Sequence, residues 1–158
     1  MNIVRGLALF CEDIREEVSG QNTLVGVMAD NMAVPSTPVM LARLGIYTRV
    51  YFDISDQPEA VSAIVEMPSG DRFELGGASA DLVKASFDTA KSNNVKVAGI
   101  ILKGIFSPLP ILGLGTINAI ISIEGRQHIL GILNVIIDPA ASASQPQPLQ
   151  SAPASPAS

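Results

Sequence analysis

Acidic residues crowd together between two apolar segments near the start of the chain. Glu12, Asp13, Glu16 and Glu17 all lie within "CEDIREE", which follows "GLALF" and precedes "TLVGV". Carboxylate oxygens suit a hard cation such as Ca²⁺, and paired carboxylates in a cleft can carry out general acid–base chemistry. The alternative is a charged turn between two strands, where acids keep the strand ends in water. We favour the charged turn and keep the metal site as a hypothesis.

Acids from later in the chain would join this group if consecutive strands reversed direction. The third strand would then end at Asp53, beside Asp56 and Glu59, at the same end of the sheets as the first acids. Loops at one end of a β-sandwich commonly hold binding sites. No calcium loop of the D-x-D-x-D-G type is present, and Arg15 lies among the acids. The metal-ligand candidates are Glu12, Asp13, Glu16, Asp53 and Asp56.

Other catalytic groups are scarce. Cys11 is the only cysteine and His128 the only histidine, so the common zinc ligand sets cannot be assembled from them alone. Cys11 lies in an apolar strand, where a thiol is usually packing, and His128 follows a hairpin turn, where it is usually a surface residue. The phosphate-binding and nucleophile-elbow glycine motifs are absent from the sequence. The sequence predicts no enzyme and no cofactor, with Ca²⁺ as the only candidate ion.

Composition and charge narrow the class of partner and the compartment. The 158 residues carry a net charge of −5, and the basic residues are dispersed, so nucleic-acid binding is not expected. The single cysteine fits a reducing compartment. The apolar stretch after Arg5 is too short for a signal peptide. We expect a cytoplasmic protein.

The elements that would position these groups are mostly strands. "GIYTRVYFDIS" alternates, with Ile46, Val50 and Phe52 on the side opposite to Tyr47 and Arg49. Residues 68–71 (Pro-Ser-Gly-Asp) and the Glu-Gly pair at 124–125 predict hairpin turns. A further hairpin is expected between residues 3–11 and 22–30, with the acidic stretch as its connection.

One helix interrupts the strands. In "SADLVKASFDTAKSNN", Leu82, Val83, Phe87 and Ala90 have helical spacing, Ser79 is a plausible N-cap, and two asparagines follow as a stop. We predict a mainly β fold: an antiparallel β-sandwich of about seven to eight strands with one short helix. The domain spans residues 1–139. Residues 140–158, rich in Pro, Ala, Ser and Gln, predict a disordered tail.

The longest apolar stretch is residues 97–123. It contains Pro108, Pro110, Gly113 and Gly115, which would break a membrane-spanning helix, so two buried strands joined by a loop are expected. The loop "FSPLPILGLG" is a candidate interaction site, and contact with a membrane surface is the less favoured alternative. Its candidate residues are Phe106, Leu109, Ile111 and Leu112.

The opening of the chain resembles the N-terminal signature of an uncharacterised bacterial family of unknown function. The matching features are the Cys11, Glu12, Asp13 turn with Arg15 and Glu16 beyond it, followed by "LVGV" and an Asp-Asn pair. The later "ARLGIY" and the closing strand–Glu-Gly–strand are also similar. The resemblance implies a small β-rich domain without an assigned activity.

Strands that are apolar on both faces favour an assembly function. "LVGVM" and "GILNVII" would leave an apolar face in water in a two-layer sandwich, which predicts a homo-oligomer or a protein partner. The leading hypothesis is a non-catalytic binding or assembly module that self-associates. The alternatives are a Ca²⁺-dependent binding module that uses the acidic loops and, less favoured, a carboxylate-based enzyme.

Overall fold

The computed structural model describes residues 3–142 and confirms the mainly β prediction. Most of the predicted tail, residues 143–158, lies outside the described residues. The described residues form twelve strands and two helices. In chain order the first half contains β1 (Ile3–Cys11), β2 (Asp13–Glu16), β3 (Asn22–Val25), β4 (Asn31–Val34), β5 (Val39–Leu41), β6 (Leu44–Asp53) and β7 (Val61–Glu66). The second half contains β8 (Arg72–Ala78), α1 (Ala80–Ser92), β9 (Val97–Phe106), β10 (Leu109–Ile111), β11 (Gly115–Ile123), β12 (Arg126–Ile137) and α2 (Pro139–Ser142).

Two principal sheets enclose one core. The three-stranded sheet has the order β1-β6-β9, and the five-stranded sheet has the order β4-β12-β11-β7-β8. Two further pairs, β2-β3 and β10-β5, are short. They and β4 raise the strand number above the predicted seven or eight, because segments of three or four residues carry too little alternation to be recognised. The β4–β12 pair is parallel, whereas the other pairs are antiparallel.

The core is built from the alternate residues predicted to face inward. Ile46, Val50 and Phe52 of β6 are at most 1% exposed. Thr48 shares their side, and its hydroxyl donates a hydrogen bond of 2.7 Å to the Leu102 carbonyl oxygen, which satisfies a buried polar group. The predicted strand pattern of this segment is therefore confirmed.

Glycines let the edges of the two sheets approach each other. A Cβ on Gly131 of β12 would lie 2.9 Å from the Ala8 carbonyl oxygen of β1. On the opposite side of the core, a Cβ on Gly104 of β9 would lie 2.9 Å from a methyl carbon of Leu75 in β8. Because glycine lacks this atom, the backbones come close and the sheets nearly close around the core.

Helix α1 packs against the core and confirms the predicted helix. Val83, Phe87 and Ala90 are buried, and the Phe87 ring lies 6.3 Å from that of Phe52. Ser79 is the N-cap residue, and the helix ends before Asn94, whose φ is 52°. The helix packs mainly against β9.

The predicted hairpins have different outcomes. Residues 68–71 join β7 to β8, and Glu124 and Gly125, with φ of 49° and 78°, join β11 to β12, as predicted. The expected hairpin between residues 3–11 and 22–30 is wrong, because β1 pairs with β6 instead. The chain turns back immediately after β1 and forms the small β2–β3 hairpin.

Residues 97–123 fold into β9, β10 and β11, as the prolines and glycines in this stretch indicate. Within residues 3–142, neither helix has the length and apolar character needed to span a membrane. Helix α2 begins at Pro139, one residue before the predicted tail, so residues 140–142 of that tail are helical.

Candidate functional site

The acidic stretch forms a hairpin on the outside of the three-stranded sheet. Strands β2 and β3 are joined by a turn in which Gly20 has a φ of 81°. The hairpin covers the end of the sheet at Gly45. A Cβ on Gly45 would lie 2.9 Å from the Cys11 sulfur and 3.1 Å from a side-chain carbon of Ile14, so only glycine leaves room for this packing.

Within residues 3–142, three cations bind the acids of this hairpin: Arg15 of the hairpin itself, Arg43 just before β6, and Lys103 of β9. A carboxylate oxygen of Asp13 lies 2.9 Å from the Arg43 guanidinium and another lies 3.6 Å from that of Arg15. The Glu16 carboxylate lies 3.2 Å from the Lys103 ammonium of β9. These contacts connect the hairpin to the sheet beneath it. Asp13 and Glu16 thus lie on strand β2 with cations of the protein beside them, and not in a turn that joins the two predicted strands.

The other candidate acids lie at the opposite end of the sheet. Strand β6 runs antiparallel to β1, so Gly45 pairs with Cys11 while the far end of β6 lies beside Ile3. Asp53 ends β6, roughly 26 Å from Gly45 at ~3.3 Å per residue, and Asp56 and Glu59 follow it. The single acidic cluster expected from reversal of consecutive strands is therefore not formed. In the part of the chain that the structure describes, no group of three or more His, Cys, Asp or Glu side chains is arranged to hold a metal.

Carboxyl groups with shifted pKa values are held in their charged form. Hydrogen bonds from Ser55 lower the pKa of Asp53, and those from Arg72, then Asn118, lower the pKa of Glu66. The hydrogen bond from Lys84 likewise lowers the pKa of Asp88. A carboxyl group that donates a proton near neutral pH needs a raised pKa. These groups are shifted in the opposite direction.

Cys11 and His128 are not brought together. Cys11 is fully buried, and its sulfur donates a hydrogen bond of 3.6 Å to the Gly45 carbonyl oxygen. Burial raises the pKa of this thiol, which keeps it protonated and unreactive. His128 is exposed near the start of β12. The two residues keep the packing and surface positions expected for them.

An apolar surface lies on the outside of the five-stranded sheet. Cross-strand pairing places Ile120 of β11 between Ile64 of β7 and Ile129 of β12. The next outward residue of β12 is Ile132, and Ile136 lies beyond it. We name this surface the isoleucine face; it consists of Ile64, Ile120, Ile129, Ile132 and Ile136.

Ile120 shows how closely this face is packed. It is only 5% exposed, yet it is not part of the core cluster between the sheets, so its neighbours on the outer face cover it. Ile129 and Ile132 in turn remain 58% and 51% exposed. A bulge in the β11–β12 pairing between Ala119 and Ile120 brings these two residues to the same side. The face is therefore contiguous rather than a scatter of single residues.

Uncharged and paired polar groups border the isoleucine face. Asn118 lies opposite Ile132 and donates a hydrogen bond of 3.3 Å to Glu66. The same carboxylate forms an ion pair of 2.6 Å with Arg72. Glu74 of β8 lies at the rim, opposite Ile64. Within residues 3–142, Glu66 is thus paired, whereas Glu74 forms no ion pair and is the one uncompensated charge among these border groups.

The predicted interaction loop contributes less exposed surface than expected. Leu109 and Ile111 are 2% and 0% exposed, because β10 turns them into the core. Phe106 packs against Phe73 with ring centroids 6.0 Å apart. Of the four candidates, Leu112 is the one that is largely exposed, at 57%. The alternation buried, exposed, buried over "LPI" is a strand pattern that the surrounding prolines obscured.

Sequence reasoning identified only part of the isoleucine face. The segment "GILNVII" was recognised as apolar on both sides, and Ile132 and Ile136 belong to it. Ile64, Ile120 and Ile129 were missed. For Ile120 the run "NAIISI" contains a signal, since its consecutive apolar residues must occupy both sides of a strand. The bulge that aligns them cannot be read from this pattern.

The fold and the surface together define a mainly β, two-sheet domain with an exposed apolar sheet face and an ion-paired acidic hairpin. A family model described as a family of unknown function, DUF6941, matches residues 6–136. The chain belongs to this family. Comparison with curated proteins finds no match. Comparison with solved structures also finds no match.

Proposed function

We propose that this protein is a non-catalytic assembly module that associates with a second copy of itself through the isoleucine face. The observation that supports this most directly is the continuous row Ile64–Ile120–Ile129 with Ile132 beside it, on a sheet face that nothing within residues 3–142 covers. Contiguous exposed apolar patches on soluble proteins mark interaction sites. Side chains on a rigid sheet also lose little entropy when they are buried by a partner.

The charge distribution favours a second copy as the partner. Two chains of net charge −5 repel each other except where their contact surfaces are locally neutral. On the isoleucine face the Glu66 carboxylate is paired with Arg72, and Asn118 and Asn134 carry amides that both donate and accept hydrogen bonds. Amides that both donate and accept could pair with the same groups of a second copy, as an interface with two-fold symmetry requires.

The test is the molar mass in solution at several protein concentrations. We expect the wild-type mass to rise above that of the 16.5 kDa monomer at micromolar concentrations, and the Ile129→Lys, Ile132→Lys double variant to remain monomeric. Leu82→Lys is the control, because Leu82 is 61% exposed on α1, away from the face. Circular dichroism checks that each variant is folded. A monomeric wild type, or equal loss of mass in the control, would overturn the proposal.

The calcium-dependent alternative stays a prediction. Its candidate ligands form two groups at opposite ends of β6, with Glu12, Asp13 and Glu16 in one group and Asp53 and Asp56 in the other. A single site would therefore have to use the acids of one group only. The hypothesis of a carboxylate-based enzyme likewise requires that both catalytic acids come from one group.

A further inference from the structure

A second exposed surface lies on the outside of the three-stranded sheet. The strand register aligns Leu7 with Arg49 and Ile101, and the next row aligns Arg5 with Tyr51 and Gly99. Tyr47 lies on the same side at the other flank of Arg49, so both tyrosines of the chain are on this surface. We name it the tyrosine–arginine face; it consists of Arg5, Leu7, Tyr47, Arg49, Tyr51 and Ile101.

The composition of this face is that of a protein-binding hot spot. Tyrosine and arginine are among the side chains most enriched at the centres of interfaces. The Arg49 guanidinium lies 4.8 Å from the centre of the Tyr51 ring, an arrangement that holds it in place while leaving its N–H groups free to bind a carboxylate. Ile101, beside it, is 40% exposed. The face thus combines fixed donors with accessible apolar surface.

The charge of the face is opposite to that of the whole chain. Arg5 and Arg49 are exposed, and in the part of the chain that the structure describes neither forms an ion pair. Of the carboxylates at the two ends of the face, Glu16 is paired with Lys103, whereas Asp53 accepts hydrogen bonds from Ser55 and keeps its charge. Two exposed arginines without counter-ions in an acidic protein favour an acidic partner.

The face has a depression at each end, and the distance between the two depressions indicates the length of the partner segment. One, of about 260 Å³, is lined by Val4, Arg5, Tyr51 and Val97. The other has the same volume, about 260 Å³, and lies at the acidic hairpin between Ile14, Lys103 and Ile105. Along β6 they are separated by roughly 20 Å at ~3.3 Å per residue, which an extended segment of about seven residues would span. Both depressions have apolar walls and one cation. In the second, Glu16 also lines the wall and pairs with Lys103, so among the described residues Arg5 in the first is the cation left without a counter-ion.

We propose that the tyrosine–arginine face binds an extended acidic segment of another protein. The segment would be about seven residues long at ~3.3 Å per residue. An apolar side chain near each end would fill the two depressions, and carboxylates between them would bind Arg5 and Arg49. This site lies on the sheet opposite to the isoleucine face and does not depend on self-association.

The probe is a synthetic heptapeptide with leucine at both ends and alternating glutamate and serine between them. We expect it to shift the backbone amide resonances of β1, β6 and β9 in ¹⁵N-labelled protein in a saturable manner that weakens as salt is added. A second peptide with lysine in place of glutamate should leave these resonances unchanged. Equal shifts with both peptides would overturn the proposal. So would shifts that are confined to residues outside this face.

Two charge-reversal variants distinguish binding at a specific site from long-range electrostatic attraction. Arg49→Glu should lower the affinity for the acidic peptide by about tenfold or more. Arg126→Glu changes the net charge by the same amount at the exposed β11–β12 turn and should leave the affinity nearly unchanged. Equal weakening by both variants would show that net charge alone drives binding. Loss of a wild-type dimer on Arg49→Glu would identify a second copy as the occupant and would also contradict the proposal.

Discussion

The sulfur of Cys11 lies directly over Gly45, to whose carbonyl oxygen it donates a hydrogen bond of 3.6 Å. A side chain at position 45 would occupy the space of this sulfur and of Ile14, which belongs to the hairpin above it. The packing of the acidic hairpin against the end of β1 and the start of β6 therefore requires glycine, which has no side-chain methyl group, at position 45.

Gly45→Ala should destabilise the domain by about 1–3 kcal/mol, the usual cost of overpacking a well-packed site. The measurement is the free energy of unfolding from urea titration. Gly113→Ala is the matched control, because a Cβ at Gly113 would meet nothing within 4 Å. Equal stability of the two variants would show that the hairpin moves aside without cost.

Lys103→Met should release the hairpin while the rest of the domain stays folded. Its ammonium binds both Glu16 and Asn22, one on each strand of the hairpin. Because the contact is near the surface, the change in global stability should be below about 1 kcal/mol. Hydrogen exchange should nevertheless accelerate at the Glu12 and Glu17 amides, which donate to Val25 and Gln21. Unchanged exchange there, or equal acceleration throughout β6, would contradict this prediction.

Glu66→Gln should reduce the dependence of stability on acid pH. Hydrogen bonds from Arg72, then Asn118, hold the folded pKa of Glu66 below its ordinary value of 4.5. A lowered folded pKa adds stability above the unfolded pKa, and this contribution is lost as the pH falls through the folded pKa. Thermal melts between neutral pH and pH 3 should show wild type and variant converging as acid is added. Glu124→Gln, at an exposed turn, should keep the wild-type profile.

Millimolar Ca²⁺ should not raise the melting temperature beyond the effect of an ionic-strength control. The acids of the hairpin already bind Arg43 and Lys103, and Asp53 lies at the other end of β6. A ligand that binds the native state must raise its stability, so a calcium-specific rise would establish a site. Asp13→Asn and Asp53→Asn would then identify which group of acids forms it.

Much of the local structure could be predicted from the sequence. Alternation over "GIYTRVYFDIS" predicted β6 and its inward side, and helical spacing with Ser79 and the paired asparagines predicted α1 within one residue of its bounds. The Glu124 and Gly125 turn followed from residue type. These features depend on neighbours in the sequence, and local geometry therefore determines them.

Strand pairing could not be predicted in the same way. β1 selects β6 rather than the next segment in the chain, so Asp53 ends far from Asp13 instead of beside it. The short β10 likewise carries Leu109 and Ile111 into the core, although the sequence offered them as surface residues. Pairing between distant strands depends on which apolar faces can be buried together, and short-range periodicity does not contain that information.

The sequence by itself determined a mainly β domain, its helix, its main turns and the presence of more apolar strand surface than one core can bury. Only the tertiary structure decided where that surplus lies. Side chains alternate between the two sides of a strand, but a bulge and the choice of neighbouring strands decide which of them meet. In this protein that choice buries Ile120 on the outside of a sheet, exposes Ile129 beside it, and separates the acids into two groups.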